Sequence, residues 1–150
     1  MCNSSMISEV GHRVYFSDTD SGGVVYFGNI SRYMEIGFSE WFRQYTGSLK
    51  ELNEKYNIFL LVKTSSHKFK KPIYYDNELI IRTKVRSIKF FSIGFKIDII
   101  VHGHVCFEGE VTLTPIDLST KKTVKLPDEI LALTKEGEHE IATVRQNNLC

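Results

Sequence analysis

The stretch VYFSDTDSGGVVYFGNISRYMEIGFSEWFRQY, residues 14–45, combines a strand-like start, a loop with two carboxylates and two glycines, and a helical continuation. After Asn29, apolar residues recur at three- and four-residue steps, which places them on one face of a helix. We therefore predict a long amphipathic helix with Asn29 as its N-cap and Gly47 just beyond its end. The residues of the buried face are Ile30, Tyr33, Met34, Gly37, Phe38, Trp41, Phe42 and Tyr45.

Five other segments have the character of β-strands. The first alternates before the loop, with Val10, His12, Val14 and Phe16 directed inward. The others cover about 59–71, 79–85, 91–101 and 105–113, and the short connections between the last three indicate an antiparallel meander. Ser48 and Glu51 form a capping box for a second, short helix, and the residues after Pro127 predict another short helix and then a polar terminus.

Composition narrows the class of protein. The chain has 150 residues, enough for one domain with a sizeable core, and a formal charge of +1. Because its charges are well mixed, the sequence favours neither a nucleic-acid binder nor an anionic-membrane protein. No signal peptide or apolar membrane span is evident. The cysteines (Cys2, Cys106 and Cys150) are odd in number and lack metal or redox spacing, so we expect a cytoplasmic protein without a metal.

This order of elements predicts an α+β fold in which the long central helix packs on the apolar face of a curved antiparallel sheet of about five strands. One sheet edge would remain uncovered in a monomer. Pairing of two such edges would continue the sheet, so the layout favours a homodimer.

The loop and this layout resemble hotdog-fold thioesterases of the 4-hydroxybenzoyl-CoA thioesterase type. The resemblance is carried by residues 15–29, YFSDTDSGGVVYFGN, and by Lys71-Pro72 followed by Tyr75-Asp76. The loop is especially similar to that of 1,4-dihydroxy-2-naphthoyl-CoA hydrolases of phylloquinone biosynthesis. The resemblance implies one hotdog domain over residues 1–150, with a core at about 10–118 and a tail at 127–150. It also implies a homodimer that pairs into a homotetramer, with active sites at the dimer interface.

Thioester hydrolysis needs a carboxylate that attacks the carbonyl or activates water, and donors for the developing oxyanion. The resemblance assigns the carboxylate to Asp20 and the donors to the backbone amides of Phe27 or Gly28, where a helix dipole would help. Anhydride formation and general-base catalysis both stay open. Four residues are expected to support the loop: Asp18, Gly22, Gly23 and Tyr26. No cofactor is implied beyond coenzyme A as part of the substrate and product.

Other interpretations of these motifs are weaker. Asp and Gly in a loop are commonly turn formers, and a calcium loop fails because Asn29 stands where a Glu is needed. His102 and His104 flank Gly103 at a predicted hairpin without a third metal ligand. On the polar face of the helix, the glutamates at 35 and 40 are expected to be solvated or to pair with the arginines at 32 and 43, although a helix Glu is the catalyst in a sister branch.

Among the basic residues, Arg86 and Lys89 rank first for the phosphates of coenzyme A, because the resembling family often contacts the nucleotide there. Three functions remain: an aromatic acyl-CoA thioesterase, a fatty or short-chain acyl-CoA thioesterase, and a non-catalytic acyl-binding or scaffold protein. An aromatic acyl group is favoured by the loop resemblance, and a slot of aromatic side chains would stack against it. The residues of that predicted slot are Phe16, Tyr26, Phe27, Tyr33, Phe38 and Trp41.

Overall fold

The computed structural model describes residues 6–134, which form one five-stranded antiparallel sheet and one long helix that lies against it. The strands are ordered β1-β3-β4-β5-β2 across the sheet. The predicted α+β layout is confirmed. The elements, in chain order, are β1 (Ile7–Arg13), α1 (Ile30–Tyr45), α2 (Leu49–Tyr56), β2 (Ile58–Phe69), β3 (Glu78–Lys89), β4 (Ser92–Val101) and β5 (His104–Asp117).

The apolar face of α1 forms the centre of the core, as its spacing predicts. Seven of its residues are buried, among them Tyr33 and Trp41 without any exposed surface. Gly37 allows the helix to approach the sheet closely, because a Cβ there would lie 2.6 Å from Thr83 Oγ1 and 2.9 Å from Ile81 Cγ2. Both of these β3 residues are fully buried, so this contact fixes the position of α1 across the sheet.

The sheet is long and curved, with strands of up to 14 residues. The register shifts once in each of the pairings β2–β5, β3–β4 and β4–β5, and such bulges bend a sheet and increase its twist. The inward side chains of β3, β4 and β5 are buried against α1, in the alternation that the sequence predicts. β1 and β2 are the two edge strands, and most of β2 is exposed.

The segment before the loop differs from the prediction. β1 covers Ile7–Arg13, so it begins and ends earlier than expected, and the chain then forms a 3₁₀ turn at Phe16–Asp18. Val14 is buried as predicted, but Phe16 is 79% exposed because the turn rotates its side chain away from the sheet. Alternation alone gives no sign of this turn. The prediction that Phe16 faces inward is therefore wrong.

The start of α1 differs from the prediction in the role of Asn29. A 3₁₀ turn at Phe27–Asn29 precedes the helix, and Asn29 makes no side-chain capping bond. Its amide instead donates to the backbone oxygen of Asp18 at 2.8 Å. The capping box of Ser48 and Glu51 on α2 is confirmed.

Residues 128–134 are helical, which confirms a short helix after Pro127, whereas the predicted polar terminus lies outside the described residues. Leu126 and Ile130 are buried in the core, although they lie beyond the predicted core segment of 10–118. Within the described range, no helix is long and apolar enough to cross a membrane.

Candidate active site

Asp18 is the buried centre of the loop between β1 and α1. The residue is only 6% exposed, and its Oδ2 accepts hydrogen bonds from the backbone N–H of Tyr15 and from the hydroxyl of Tyr33, each at 3.0 Å. Its Oδ1 lies 3.2 Å from the guanidinium of Arg32. Both oxygens of this carboxylate are therefore engaged by donors within the protein.

Asp20, two residues further on, lies at the surface. Its Oδ1 accepts from the backbone N–H groups of Gly22 at 2.8 Å and Val24 at 3.3 Å. The loop is closed by backbone bonds from Asp20 N–H to Val24 and from Gly23 N–H to Asp20. Gly23 has φ +77°, a conformation that favours glycine. Within residues 6–134, Oδ2 of Asp20 makes no hydrogen bond, so one carboxylate oxygen of this exposed residue has no partner in the protein.

The expected oxyanion donors lie at the other end of the same loop. Phe27 and Gly28 open the 3₁₀ turn before α1, and their N–H groups have no backbone acceptor among residues 6–134. Gly28 is constrained by its neighbour, because a Cβ there would lie 2.6 Å from the ring of Tyr26. Unpaired N–H groups at the start of a helix, aided by its dipole, are suited to stabilise a developing negative charge.

The segment between β2 and β3 forms backbone hydrogen bonds to the loop. Val25 N–H donates to the oxygen of Ile73 at 2.7 Å, and Tyr75 N–H donates to the oxygen of Gly23 at 3.0 Å. Val24 also pairs with Tyr74 as an isolated bridge. The two stretches that carry the sequence resemblance therefore contact each other in the fold.

Two cavities flank the start of α1. The larger, of about 740 Å³, lies between α1, α2 and β2, and we call it the α1–β2 groove. It begins at Ser31 and Arg32 in the first turn of α1 and continues past Glu35 and Phe38 to β2. Its lining is mostly apolar with a few polar groups, as is usual for small-molecule sites. The smaller cavity, of about 320 Å³, lies behind the loop, between Val24, Ile30 and Cys106.

The six aromatic residues of the predicted slot lie in different parts of the structure. Tyr33 and Trp41 are core residues, whereas Phe16, Tyr26 and Phe27 are exposed around the loop. Only Phe38 of the six lines the α1–β2 groove. The predicted six-residue slot is therefore not formed within one chain. The groove takes a second aromatic ring from Phe59 on β2, which the sequence analysis did not single out.

The remaining candidates lie apart from the loop. Arg86 bonds Thr112 and lies near Glu110 on the outer sheet face. Lys89 ends β3, whereas the loop contacts the chain just before β3. At about 3.3 Å a residue, β3 extends over roughly 35 Å. Within one chain, the structure does not bring Arg86 and Lys89 near Asp20.

The two glutamates on the polar face of α1 have different environments. Glu40 pairs with Arg43, as expected. Glu35 is exposed and lines the α1–β2 groove, and Arg32 pairs with Asp18 instead. At the hairpin, His102 and Gly103 both have positive φ, which confirms a turn there.

The electrostatics of the loop centre on Tyr33 and its neighbours. Burial, and then the hydrogen bond to Asp18, raise the pKa of Tyr33, so its hydroxyl remains a donor at any working pH. The ring of His12 lies 5.3 Å from that of Tyr33. Burial, and then the charge of Arg32, lower the pKa of His12. Sequence reasoning missed the contact of Tyr33 with Asp18, although a buried tyrosine requires a partner for its hydroxyl.

Solved structures share this architecture. A DHNA-CoA thioesterase from Staphylococcus aureus superposes with a TM-score of 0.79 at 22% identity and covers 94% of each chain. A probable thioesterase from Bartonella henselae gives a TM-score of 0.76 at 26% identity, over 81% of this chain and 99% of that one. The fold of this chain is the hotdog fold of thioesterases, with a carboxylate loop at the start of its central helix.

The family model described as the thioesterase-like superfamily matches residues 14–133. The chain therefore belongs to this family, and it is a thioester hydrolase. It is 28% identical over 120 residues to acyl-CoA thioesterase YbgC of Haemophilus influenzae, covering 80% of this chain and 88% of YbgC. It is 22% identical over 148 residues to 1,4-dihydroxy-2-naphthoyl-CoA hydrolase of Thermosynechococcus vestitus, covering 92% and 95% of the two chains.

Proposed function

We propose that this thioester hydrolase cleaves an aromatic acyl-CoA, with 1,4-dihydroxy-2-naphthoyl-CoA of phylloquinone biosynthesis as the most specific candidate. One observation carries the proposal: a single loop holds the exposed carboxylate of Asp20 and the unpaired amides of Phe27 and Gly28, and the first turn of the helix that follows this loop lines the α1–β2 groove. We also propose a cytoplasmic location, because the cysteine pattern favours a reducing compartment.

Asp20 would act through Oδ2, which has no hydrogen-bond partner among residues 6–134, while Oδ1 stays bound to the loop amides. As a general base, it takes a proton from water as the water oxygen attacks the thioester carbon. As a nucleophile, it attacks that carbon itself and forms an anhydride that water then hydrolyses. In both routes the amides of Phe27 and Gly28 bind the oxyanion, the C–S bond breaks, and the coenzyme A thiolate accepts a proton.

The lining of the α1–β2 groove favours a hydroxylated ring over an alkyl chain. Phe38 and Phe59 contribute aromatic rings to the lining, and Arg32 and Glu35 contribute polar groups. A saturated chain would desolvate these polar groups without forming hydrogen bonds to them, which costs free energy. A ring with phenolic hydroxyls would satisfy them. The naphthoyl thioester combines a planar bicycle with two such hydroxyls.

A fatty or short-chain acyl-CoA is the second candidate, and the match to YbgC supports it. The named relatives at 28% and 29% identity are acyl-CoA thioesterases, whereas the naphthoyl-CoA hydrolases match at 22% and 26%. Because these identities are similar, the groove chemistry and the loop pattern carry our preference for the aromatic substrate.

We further propose that the enzyme is a homodimer formed through β2, and that two dimers pair into a homotetramer. β2 is an edge strand, and Leu61 and Val62 expose 47% and 48% of their surface on it. Both residues also line the α1–β2 groove, so a partner strand here would close the groove as well as continue the sheet. In such an assembly, Arg86 and Lys89 would reach coenzyme A only from a neighbouring subunit.

Release of free thiol from a panel of acyl-CoAs tests this proposal. The panel comprises 1,4-dihydroxy-2-naphthoyl-CoA, benzoyl-CoA and palmitoyl-CoA. The naphthoyl thioester should have a kcat/KM at least about tenfold above that of palmitoyl-CoA, roughly 1.4 kcal/mol in transition-state binding. Equal or better hydrolysis of palmitoyl-CoA would exclude the aromatic preference and favour the second candidate. Absence of turnover with every thioester would contradict acyl-CoA hydrolysis itself.

A further inference from the structure

We infer that Tyr33 is a positioning residue for the reaction: through Asp18, its hydroxyl sets the distance between the Asp20 carboxylate and the amides of Phe27 and Gly28. This inference rests on the proposed role of Asp20. Tyr33 lies on the buried face of α1, where its spacing predicts only a core residue.

Asp18 joins the two ends of the loop. Its side chain accepts from the N–H of Tyr15, where the loop begins, and from the hydroxyl of Tyr33. Its backbone oxygen accepts from the N–H of Tyr26 at 3.0 Å and from the side chain of Asn29 at 2.8 Å, where the loop ends. One residue therefore ties the start of the loop, its end and the helix together.

Both reactive parts of the loop are attached to this junction. Asp20 follows Asp18 by two residues, and Phe27 directly follows Tyr26. A change in the orientation of Asp18 therefore moves the carboxylate and the oxyanion amides relative to each other. Displacements of about 1 Å in a catalytic arrangement can reduce rates by as much as roughly 10²-fold.

Tyr33 is the rigid member of the set that holds Asp18. Its side chain has 0% exposure and sits on a long helix packed against the sheet. The guanidinium of Arg32 also contacts Asp18, but half of its side chain is exposed, so solvent screens that pair. Among the described residues, Tyr33 provides the one hydrogen bond to the Asp18 carboxylate from a fully buried side chain. Its raised pKa keeps the hydroxyl protonated and donating.

Tyr33 is absent from the linings of both cavities at the start of α1. Loss of its hydroxyl should therefore leave substrate binding intact and affect the chemical step. A purely structural role would instead lower stability without separating kcat from KM. The expected signature is a lower kcat at an unchanged KM.

The test compares Tyr33→Phe with Tyr45→Phe. Tyr45 lies on the same helix, and its hydroxyl donates to the backbone oxygen of Ile7 on β1 at 2.8 Å, so the control loses the same atom away from the loop. Both variants are assayed with whichever thioester of the panel the wild type hydrolyses fastest. We expect kcat to fall about tenfold or more in Tyr33→Phe, with KM within about twofold, and to stay near wild type in Tyr45→Phe.

Circular dichroism and thermal unfolding show whether the variants fold. Asn29→Ala removes the other side-chain bond to Asp18 at the end of the loop, so it should show the same fall in kcat even if Tyr33→Phe does not fold. An unchanged kcat in Asn29→Ala, or in a folded Tyr33→Phe, would overturn the inference. If Asp20→Asn is inactive in the same assay, the proposed function still stands. A raised KM at unchanged kcat would also overturn it. Turnover by Asp20→Asn at half the wild-type rate would overturn both.

Discussion

Oδ1 of Asp20 accepts a hydrogen bond from the backbone N–H of Gly22 at 2.8 Å, so one oxygen of the proposed catalyst has a structural role. Asparagine retains an acceptor oxygen in this position and removes the charge. We therefore predict that Asp20→Asn keeps the loop and the melting temperature close to wild type, while kcat falls by roughly 10²-fold or more. Free thiol release and thermal unfolding measure the two effects. A variant with half of the wild-type rate would contradict the assignment of Asp20.

Asp18→Asn should affect stability more than Asp20→Asn does, and turnover less. The buried carboxylate accepts from Tyr15, Tyr33 and Arg32, and an amide nitrogen in place of one oxygen would face a donor. We expect the free energy of unfolding to fall by roughly 1–3 kcal/mol, and turnover to fall less than in Asp20→Asn. Denaturant unfolding measures the first effect. Unchanged stability would show that the bonds to Asp18 contribute little.

The contact of Gly37 with β3 predicts a further loss of stability. In Gly37→Ala, the new methyl group would meet Thr83 Oγ1 at 2.6 Å and Ile81 Cγ2 at 2.9 Å. Both neighbours are fully buried, so α1 must move away from the sheet. We expect a loss of about 1–3 kcal/mol in the free energy of unfolding, although alanine favours the helix intrinsically. Stabilisation by this substitution would show that the interface adapts without strain.

His12 should make stability depend on pH. Burial, and then the charge of Arg32, lower its pKa below the ordinary value of 6.5, whereas Asp18 opposes this change. The unfolded chain then binds the proton more readily. The contribution of neutral His12 is therefore present above about pH 6.5 and lost as pH falls from there toward the lower folded value.

Denaturant unfolding at pH 7.5 and 5.5 tests this dependence in the wild type and in His12→Gln. The variant should lose less stability than the wild type between the two pH values. His104→Gln is the matched control, because His104 is exposed at the start of β5, and it should behave as the wild type does. An equal loss of stability in His12→Gln and the wild type would contradict a role for His12.

Periodicity predicted the helix and the meander because burial determines both patterns. In α1, all the residues predicted to be inward from Ile30 to Phe42 are buried, and the alternating strands of the sheet follow the same logic. The loop was harder to predict. The exposure of Phe16 depends on a 3₁₀ turn, and the side chain of Asn29 bonds Asp18 rather than the helix N-terminus. The turn is held by local bonds that alternation does not reveal, and the bond of Asn29 to Asp18 spans 11 residues.

The site itself was only partly visible in the sequence. The loop motif indicated Asp20 and the amides after Tyr26, and the structure places them in one loop. The aromatic residues could not be sorted, because a ring at helical spacing serves the core and a binding groove equally well. Both Tyr33 and Phe38 belong to the core, but of the two only Phe38 also lines the groove. Only the packing of α1 against β1, β3 and β4 separates the two roles.

The exposed edge of β2 leads to the last prediction, the oligomeric state. Leu61 and Val62 are aliphatic and half exposed on this edge strand, and they line the α1–β2 groove. If two β2 strands pair, the double variant Leu61→Glu/Val62→Glu should place like charges in the interface and sediment as a monomer at micromolar concentration. Ile80→Glu is the matched control, since Ile80 is 42% exposed but lies on an interior strand. It should keep the wild-type assembly.

Because the partner would close the groove, the monomeric variant should also lose turnover. A monomeric wild type would contradict the dimer, and a double variant that sediments as wild type would place the interface elsewhere.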